Sequence, residues 1–209
     1  AFHRDSGVGV PTGHIDQTFR VRGELWMDGD RYDVDCVSNR DQSWSPRAEF
    51  NSLPGTFDNL HFGEEMSFSA QALEAPFGKA AVSGAYILLG RELRRVKRAD
   101  VTYQRKGFLT ESLRYELEDE TGETHEIEAD TSYAITQDQG SNGVTVMHYC
   151  VPRWRGKTGY GECMWHWDIP EMQRIVRHAR KTDPGLSVED VFEALKQNPD
   201  TLPAKARWK

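Results

Sequence analysis

Phe19, Val21, Leu25 and Met27 alternate with other residues, the pair Asp28-Gly29 follows, and Tyr32, Val34 and Cys36 alternate on the far side. Alternation with period two places one set of side chains on one face of an extended chain. An Asp-Gly pair between two such runs selects a tight turn whose twist matches that of the flanking strands. Residues 19–36 therefore predict a β-hairpin. The pattern recurs at about 57–62, 64–74, 82–89, 93–105 and 108–119. From there Glu120-Thr121-Gly122-Glu123 turns the chain into a strand at 124–135. A third hairpin is predicted to join 143–151 to 158–167 across Pro152–Lys157. Repeated short strands with glycine-bearing turns predict an all-β antiparallel sandwich or barrel. Residues 1–16, with Gly7, Gly9, Pro11 and Gly13, read as an irregular lead-in, and there is no internal repeat.

After Trp167 the periodicity changes. Asp168 can cap a helix, Pro170 suits its first turn, and Glu171 follows at the third helical position. Met172, Ile175, Val176 and Ala179 then recur at helical spacing. A second helix is predicted from Ser187, with Val188, Val191, Phe192 and Leu195 as its apolar stripe. The expected organisation is a barrel over 1–168 and a helical extension over 169–209 packed on it.

The 209 residues carry 33 acidic and 26 basic side chains, a net charge of −7. That balance argues against a general nucleic-acid binder, because phosphate contact favours a basic surface. The one basic run, Arg91–Arg98, is short and reads as a solvated strand and turn. No apolar run approaches the ~18 residues of a membrane span. The odd set Cys36, Cys150 and Cys163 reads as reduced thiols in a cytoplasmic protein.

Two clusters carry candidate chemistry. Arg40, Asp41, Ser43, Trp44 and Arg47 follow the first hairpin within a few residues. A carboxylate beside an aromatic wall can form a ligand mouth, with Asp41 as acid or base and Trp44 as water shield or cation platform. Spacing alone favours a latch in which Asp41 pairs with an arginine and Trp44 plugs the core. The second cluster is Tyr160-Gly161-Glu162-Cys163-Met164-Trp165-His166. On a strand, Tyr160, Glu162 and His166 share a face. A turn near Arg155-Gly156 is expected to bring His148 opposite Glu162. Spacings among His148, Cys150, Glu162 and His166 match no zinc pattern, so no metal is expected.

Arg40–Arg47 resembles the Arg-Asp-His-Ser-Trp-Gly-Pro-Arg motif of the hydroxyneurosporene synthase (carotenoid 1,2-hydratase)-like family. Gly159-Tyr160-Gly161-Glu162 is similar to a later block of an uncharacterised bacterial branch of that group. Gln42 stands where the hydratases carry His, Ser45 stands where they carry Gly, and the strand near Phe68 lacks their Tyr-x-Asp pair. The resemblance covers roughly 13–168. It implies two lipocalin-like barrels in tandem, of which this chain is similar to the second, and cofactor-free chemistry on a π-bond of an apolar substrate.

The expectation is an antiparallel lipocalin-like β-barrel with two C-terminal α-helices, acting as a lyase or isomerase on a terpenoid, steroid or aromatic molecule. Asp41, Glu162, His166, His148 and Tyr160 are the candidate catalytic residues. Trp44, Arg40, Arg47, Ser43 and Trp165 are the candidate substrate-binding residues. A non-catalytic carrier of hydrophobic ligands is the alternative. Association as a homodimer, or with an N-terminal barrel outside this sequence, is compatible with both.

Overall fold

The computed structural model describes residues 13–44, 55–74, 80–106, 109–138, 143–182 and 184–185. The first hairpin forms as its turn chemistry dictates. Strand β1 (Gly13–Met27) pairs antiparallel with β2 (Asp30–Trp44), from Gly13 opposite Trp44 to Met27 opposite Asp30. Asp28 and Gly29 occupy the turn at φ 54° and 91°. Both are positive, as a two-residue turn of this hand requires. β1 starts at Gly13, so the last residues of the expected lead-in are strand.

The remaining strands form one sheet that closes on itself. They are β3 (Gly55–Phe62), β4 (Met66–Glu74), β5 (Ala80–Leu89), β6 (Glu92–Lys106) and β7 (Leu109–Asp119). After them come β8 (Thr124–Asp138), β9 (Gly143–Trp154), the two-residue β10 (Lys157–Thr158) and β11 (Tyr160–Asp168). Each strand pairs with its sequence neighbour from β3 to β9, and β11 fits between β9 and β3. β10 only extends the β9–β11 hairpin. The result is an antiparallel barrel of eight strands. Closure removes the sheet edges that an open sheet must shield.

Alternation sorts the side chains. Leu60, Phe62, Met66, Phe68, Ile87 and Ile127 point inward and are buried, joined by Trp154, Trp165 and Trp167. The glycines of Gly159-Tyr160-Gly161 have a steric cause. A Cβ on Gly159 would strike the carbonyl oxygen of His61, and one on Gly161 that of Asn59. Only glycine lets β11 run this close to β3. Helix α1 (Ile169–Thr182) leaves β11 directly after Asp168, and Val176 packs against the core. The second expected helix, from Ser187, lies outside the described residues.

One rim of the barrel is closed by charge. Asp119, at the end of β7, is buried. Its Oδ1 accepts bonds from Thr121 N (2.8 Å), Thr121 Oγ1 (2.6 Å) and Glu123 N (3.1 Å). Its Oδ2 accepts from Arg94 Nη1 (2.9 Å) and lies 3.2 Å from His125 Nε2. Arg94 also reaches Glu123 Oε2 at 2.6 Å, and Arg155 bonds the same carboxylate. Asp119, Glu123 and His125 sit close enough to hold a cation. The Arg94 guanidinium already occupies that role. The basic run of the sequence thus places Arg94 in an ion-pair network rather than wholly in solvent.

Burial opposes ionisation of Asp119, but bonds from Thr121, Arg94 and His125 outweigh it and hold the carboxyl well below its usual range. A depressed carboxyl contributes stability above its unfolded value of about 3.9 and loses it as pH falls through the folded value. Asp119→Asn is therefore expected to cost about 2–3 kcal/mol near neutrality. The difference from the parent protein should shrink under acid, read from urea midpoints across pH. An equal penalty at every pH would refute the electrostatic account.

Candidate functional site

The interior carries a carboxylate that its strand pattern would reserve for an apolar side chain. Thr56, Asp58, Leu60 and Phe62 alternate on the inner face of β3, and Asp58 is fully buried. Tyr103 on β6 and Tyr115 on β7 point inward from the opposite wall. Tyr115 Oη donates to Asp58 Oδ2 at 2.6 Å and Tyr103 Oη donates to the same oxygen at 2.8 Å. The two hydroxyls are 2.9 Å apart. Thr56 Oγ1 bonds Asp58 Oδ1 and lies 3.7 Å from Cys163 Sγ. In the ring of strands β7 is four steps from β3. These bonds therefore cross the lumen.

None of these partners is cationic. Burial raises the Asp58 carboxyl above the usual range, against the pull of bonds from Thr56, Tyr115, Cys163 and Tyr103. Both phenols are raised well above 10, first by burial and then by the Asp58 charge. Burial likewise pushes the Cys163 thiol up, with the Asp58 charge adding to it. Aromatic rings surround the cluster. Phe68 meets Tyr115 edge-on at 4.7 Å, and Trp165 meets Tyr103 edge-on at 4.9 Å. Trp165 stacks with Trp167 at 5.6 Å, and the Arg105 guanidinium lies 3.8 Å above the Trp165 ring.

The residues singled out from sequence distribute over three places. Trp165 and His148 face the lumen and are buried. Glu162, His166 and Tyr160 lie on the outer face of the barrel. Arg40 and Asp41 are exposed at the end of β2. The backbone of Ser43 and Trp44 ends that strand, while Arg47 lies outside the described residues. The expected pairing of His148 with Glu162 is corrected: Cys163 lies opposite His148, and Tyr149 lies opposite Glu162. A slip of one residue moves a side chain to the other face. His148 and Glu162 are thus on opposite sides of the wall, and the His148, Cys150, Glu162 and His166 set does not converge.

Each of these groups has its own local task. His148 Nε2 accepts from Thr110 N at 2.9 Å, which leaves the proton on Nδ1, 3.3 Å from the Cys163 carbonyl. That tautomer fits a histidine whose pKa burial has lowered. It fills the gap where β8 turns away from β7 after its bulge at Thr131/Tyr133. Glu162 is half-buried, raised by burial, and accepts from Asn59 Nδ2 at 3.3 Å. His166 Nδ1 meets Thr145 Oγ1 at 2.8 Å. Tyr160 Oη accepts from Val37 N (2.7 Å) and donates to Val37 O (2.8 Å), which pins the hairpin to the barrel. Beside it, burial lowers the His61 imidazole to about 4. A crevice of about 510 Å³ runs between hairpin and barrel, lined by Thr18, Val37, Ser67 and Leu88 among others.

With the geometry established, comparison with known proteins gives a family match. The family model "Domain of unknown function (DUF7064)" covers residues 2–169. The chain belongs to this family. No curated protein matches it. The family description names no activity and no tie to the carotenoid hydratases. In this DUF7064 chain, no helix among the described residues is long and apolar enough to cross a membrane. All three cysteines are free, Cys150 and Cys163 buried and Cys36 half-buried.

Sequence reasoning passed over Thr56 and Asp58 and singled out neither Tyr103 nor Tyr115. The available signal was Thr56 and Asp58 in step with Leu60 and Phe62. A carboxylate in phase with an apolar stripe is either buried or marks a misread strand.

Asp58 titrates in the direction opposite to Asp119. Its raised folded value means that its contribution is complete below the unfolded value of about 3.9 and is lost as pH rises through the folded one. Asp58→Asn should therefore gain stability relative to the parent protein as pH rises, measured by urea unfolding. A difference independent of pH would show that Asp58 does not titrate differently in the folded state.

Proposed function

We propose that the barrel is a lipocalin-like chamber for a hydrophobic small molecule, with Asp58 as its acid/base residue. The observation that carries this reading is a buried carboxyl whose bonded partners, two phenols among them, are uncharged and which is set among aromatic rings. A carboxyl raised by burial stays protonated closer to neutral pH and can serve as a general acid. The chemistry that suits such a site is cofactor-independent lyase or isomerase chemistry on a terpenoid, steroid or aromatic substrate.

In such a step the Asp58 proton adds to one carbon of a π-bond, and the electron-poor carbon faces the ring of Trp165. Loss of a proton elsewhere on the substrate isomerises it, whereas attack by water followed by proton loss hydrates it. Either way the proton returns to Asp58 and the balance closes. Tyr103, half-buried where Tyr115 is fully buried, is the phenol positioned nearer to an incoming ligand. The resemblance to the carotenoid hydratases supports the class of reaction, and the free thiols support a reducing, cytoplasmic setting.

A non-catalytic carrier is the second reading. It is favoured by the closure of the Asp58 network on itself, since every bond it makes is internal to the barrel.

The test begins with mass spectrometry of the ligand that co-purifies, which sets the compound class to assay. Asp58→Asn should then lower turnover at least 100-fold while an apolar fluorescent probe still binds. In the parent protein kcat should fall as pH rises through the raised Asp58 value. Tyr103→Phe should lower kcat more than Tyr115→Phe. Turnover unchanged in Asp58→Asn would refute the catalytic role, and ligand binding with no turnover in any form would support the carrier.

A further inference from the structure

The hairpin β1–β2 is laid on the barrel with its polarity reversed. Residues directly opposite in an antiparallel pair share a face, so Asp16, Thr18 and Arg20 lie on one side with Val37, Asn39 and Asp41. That side meets the barrel. Arg20 bonds Glu64 in the β3–β4 turn, Thr18 lies beside Tyr86, and Val37 is buried. The other side carries Ile15, Phe19, Val21, Leu25 and Met27 with Tyr32, Val34 and Cys36. It is the apolar stripe of the sequence, and it points away from the barrel. Ile15 is 42% exposed, Phe19 38%, Leu25 50%, Met27 54% and Tyr32 46%. An apolar face of this extent on a surface ribbon marks a contact surface.

We propose that this face is the interface of a symmetric homodimer, each hairpin lying antiparallel on that of a second copy. Charge and shape both point to the second copy. Among the described residues the apolar face carries one base, Arg40, near its open end, and one acid, Asp30, at its turn end. Neither belongs to an ion pair among the described residues, whereas Arg20, Arg22 and Arg31 on the polar face all do. Arg40 bonds Gln42 within its own strand.

A two-fold axis across the strands sets β2 on β2 and reverses its direction, as an isologous contact requires. Centred between the Val21/Cys36 and Gly23/Val34 rows, it places Arg40 over Asp30 of the second copy, twice. The same register sets Phe19 over Leu25 of the second copy, and Val21 over its Gly23. A Cβ on Gly23 would meet nothing within 4 Å, so there is room for that valine. Strands of 15 residues make a ribbon of roughly 50 by 10 Å, about 500 Å² per copy. Roughly 1,000 Å² in total is the range of a weak, reversible interface. Such a dimer leaves the Asp58 cluster untouched, so it stands apart from the catalytic reading.

Sedimentation equilibrium of the full chain over a wide concentration range tests this. The expected result is a monomer–dimer equilibrium. Phe19→Glu should abolish it while the thermal transition of the barrel stays in place. Arg40→Glu or Asp30→Lys alone should raise the dissociation constant about 10-fold, and the double variant should restore it. Recovery in the double variant separates self-pairing in this register from any other apolar contact. A parent chain that stays monomeric throughout, a dimer indifferent to Phe19→Glu, or single and double charge variants that behave alike would each overturn the proposal.

Discussion

The interior of this barrel is organised around one carboxyl whose hydrogen-bond partners are all uncharged. Asp58 reaches from β3 to the hydroxyls of Tyr103 and Tyr115 on the opposite wall, at 2.8 and 2.6 Å. Within a low-dielectric interior such bonds are strong, and a buried polar group left without them is costly. The network therefore constrains the spacing of β3 against β6 and β7, and with it the packing of Phe68 and Trp165. The glycines at 159 and 161 serve the same end. They let β11 approach β3 closely enough to seat Cys163 beside Thr56.

Strand alternation and turn chemistry were legible without any structure, because both are local. The Asp28-Gly29 turn, the strands near the stated bounds and the start of a helix after Asp168 all follow from nearest neighbours along the chain. What escaped was non-local. Period two tells that Phe19, Val21 and Leu25 share a face, but not whether that face meets the barrel or solvent. Here the polar face of the hairpin is the inward one, because Arg20 finds Glu64 and Thr18 finds Tyr86 on the barrel wall.

Register failed for a related reason. A turn at Arg155-Gly156 was the right centre, yet pairing His148 with Glu162 was one residue out, since Trp154 opposite Lys157 carries Cys163 to His148. On a barrel wall that single step separates lumen from exterior. The candidate site moved with it. His148 became a neutral plug between Thr110 and Cys163, Tyr160 became the pin for Val37, and Glu162 kept a half-buried place outside. The phase of Asp58 with Leu60 and Phe62 marks it as inward, but its partners were hidden. Read locally it is one acid in a short strand, and only the closed sheet brings two tyrosines to it from the far wall.

Two of the buried carboxyls, Asp58 and Asp119, are driven in opposite directions, and the contrast separates their tasks. Asp119 sits at the rim with Arg94, His125 and backbone amides, and is held ionised. Asp58 sits at the centre with hydroxyls and a thiol, and is driven toward its neutral form. A centre meant only to tie walls together has a simpler solution, because an asparagine can hydrogen-bond the same hydroxyls without titrating. A carboxyl at that point adds one property, the ability to hold a proton to higher pH than an ordinary carboxylate and release it among aromatic rings. That property is what the proposed chemistry requires, and the rim network has no comparable use for it.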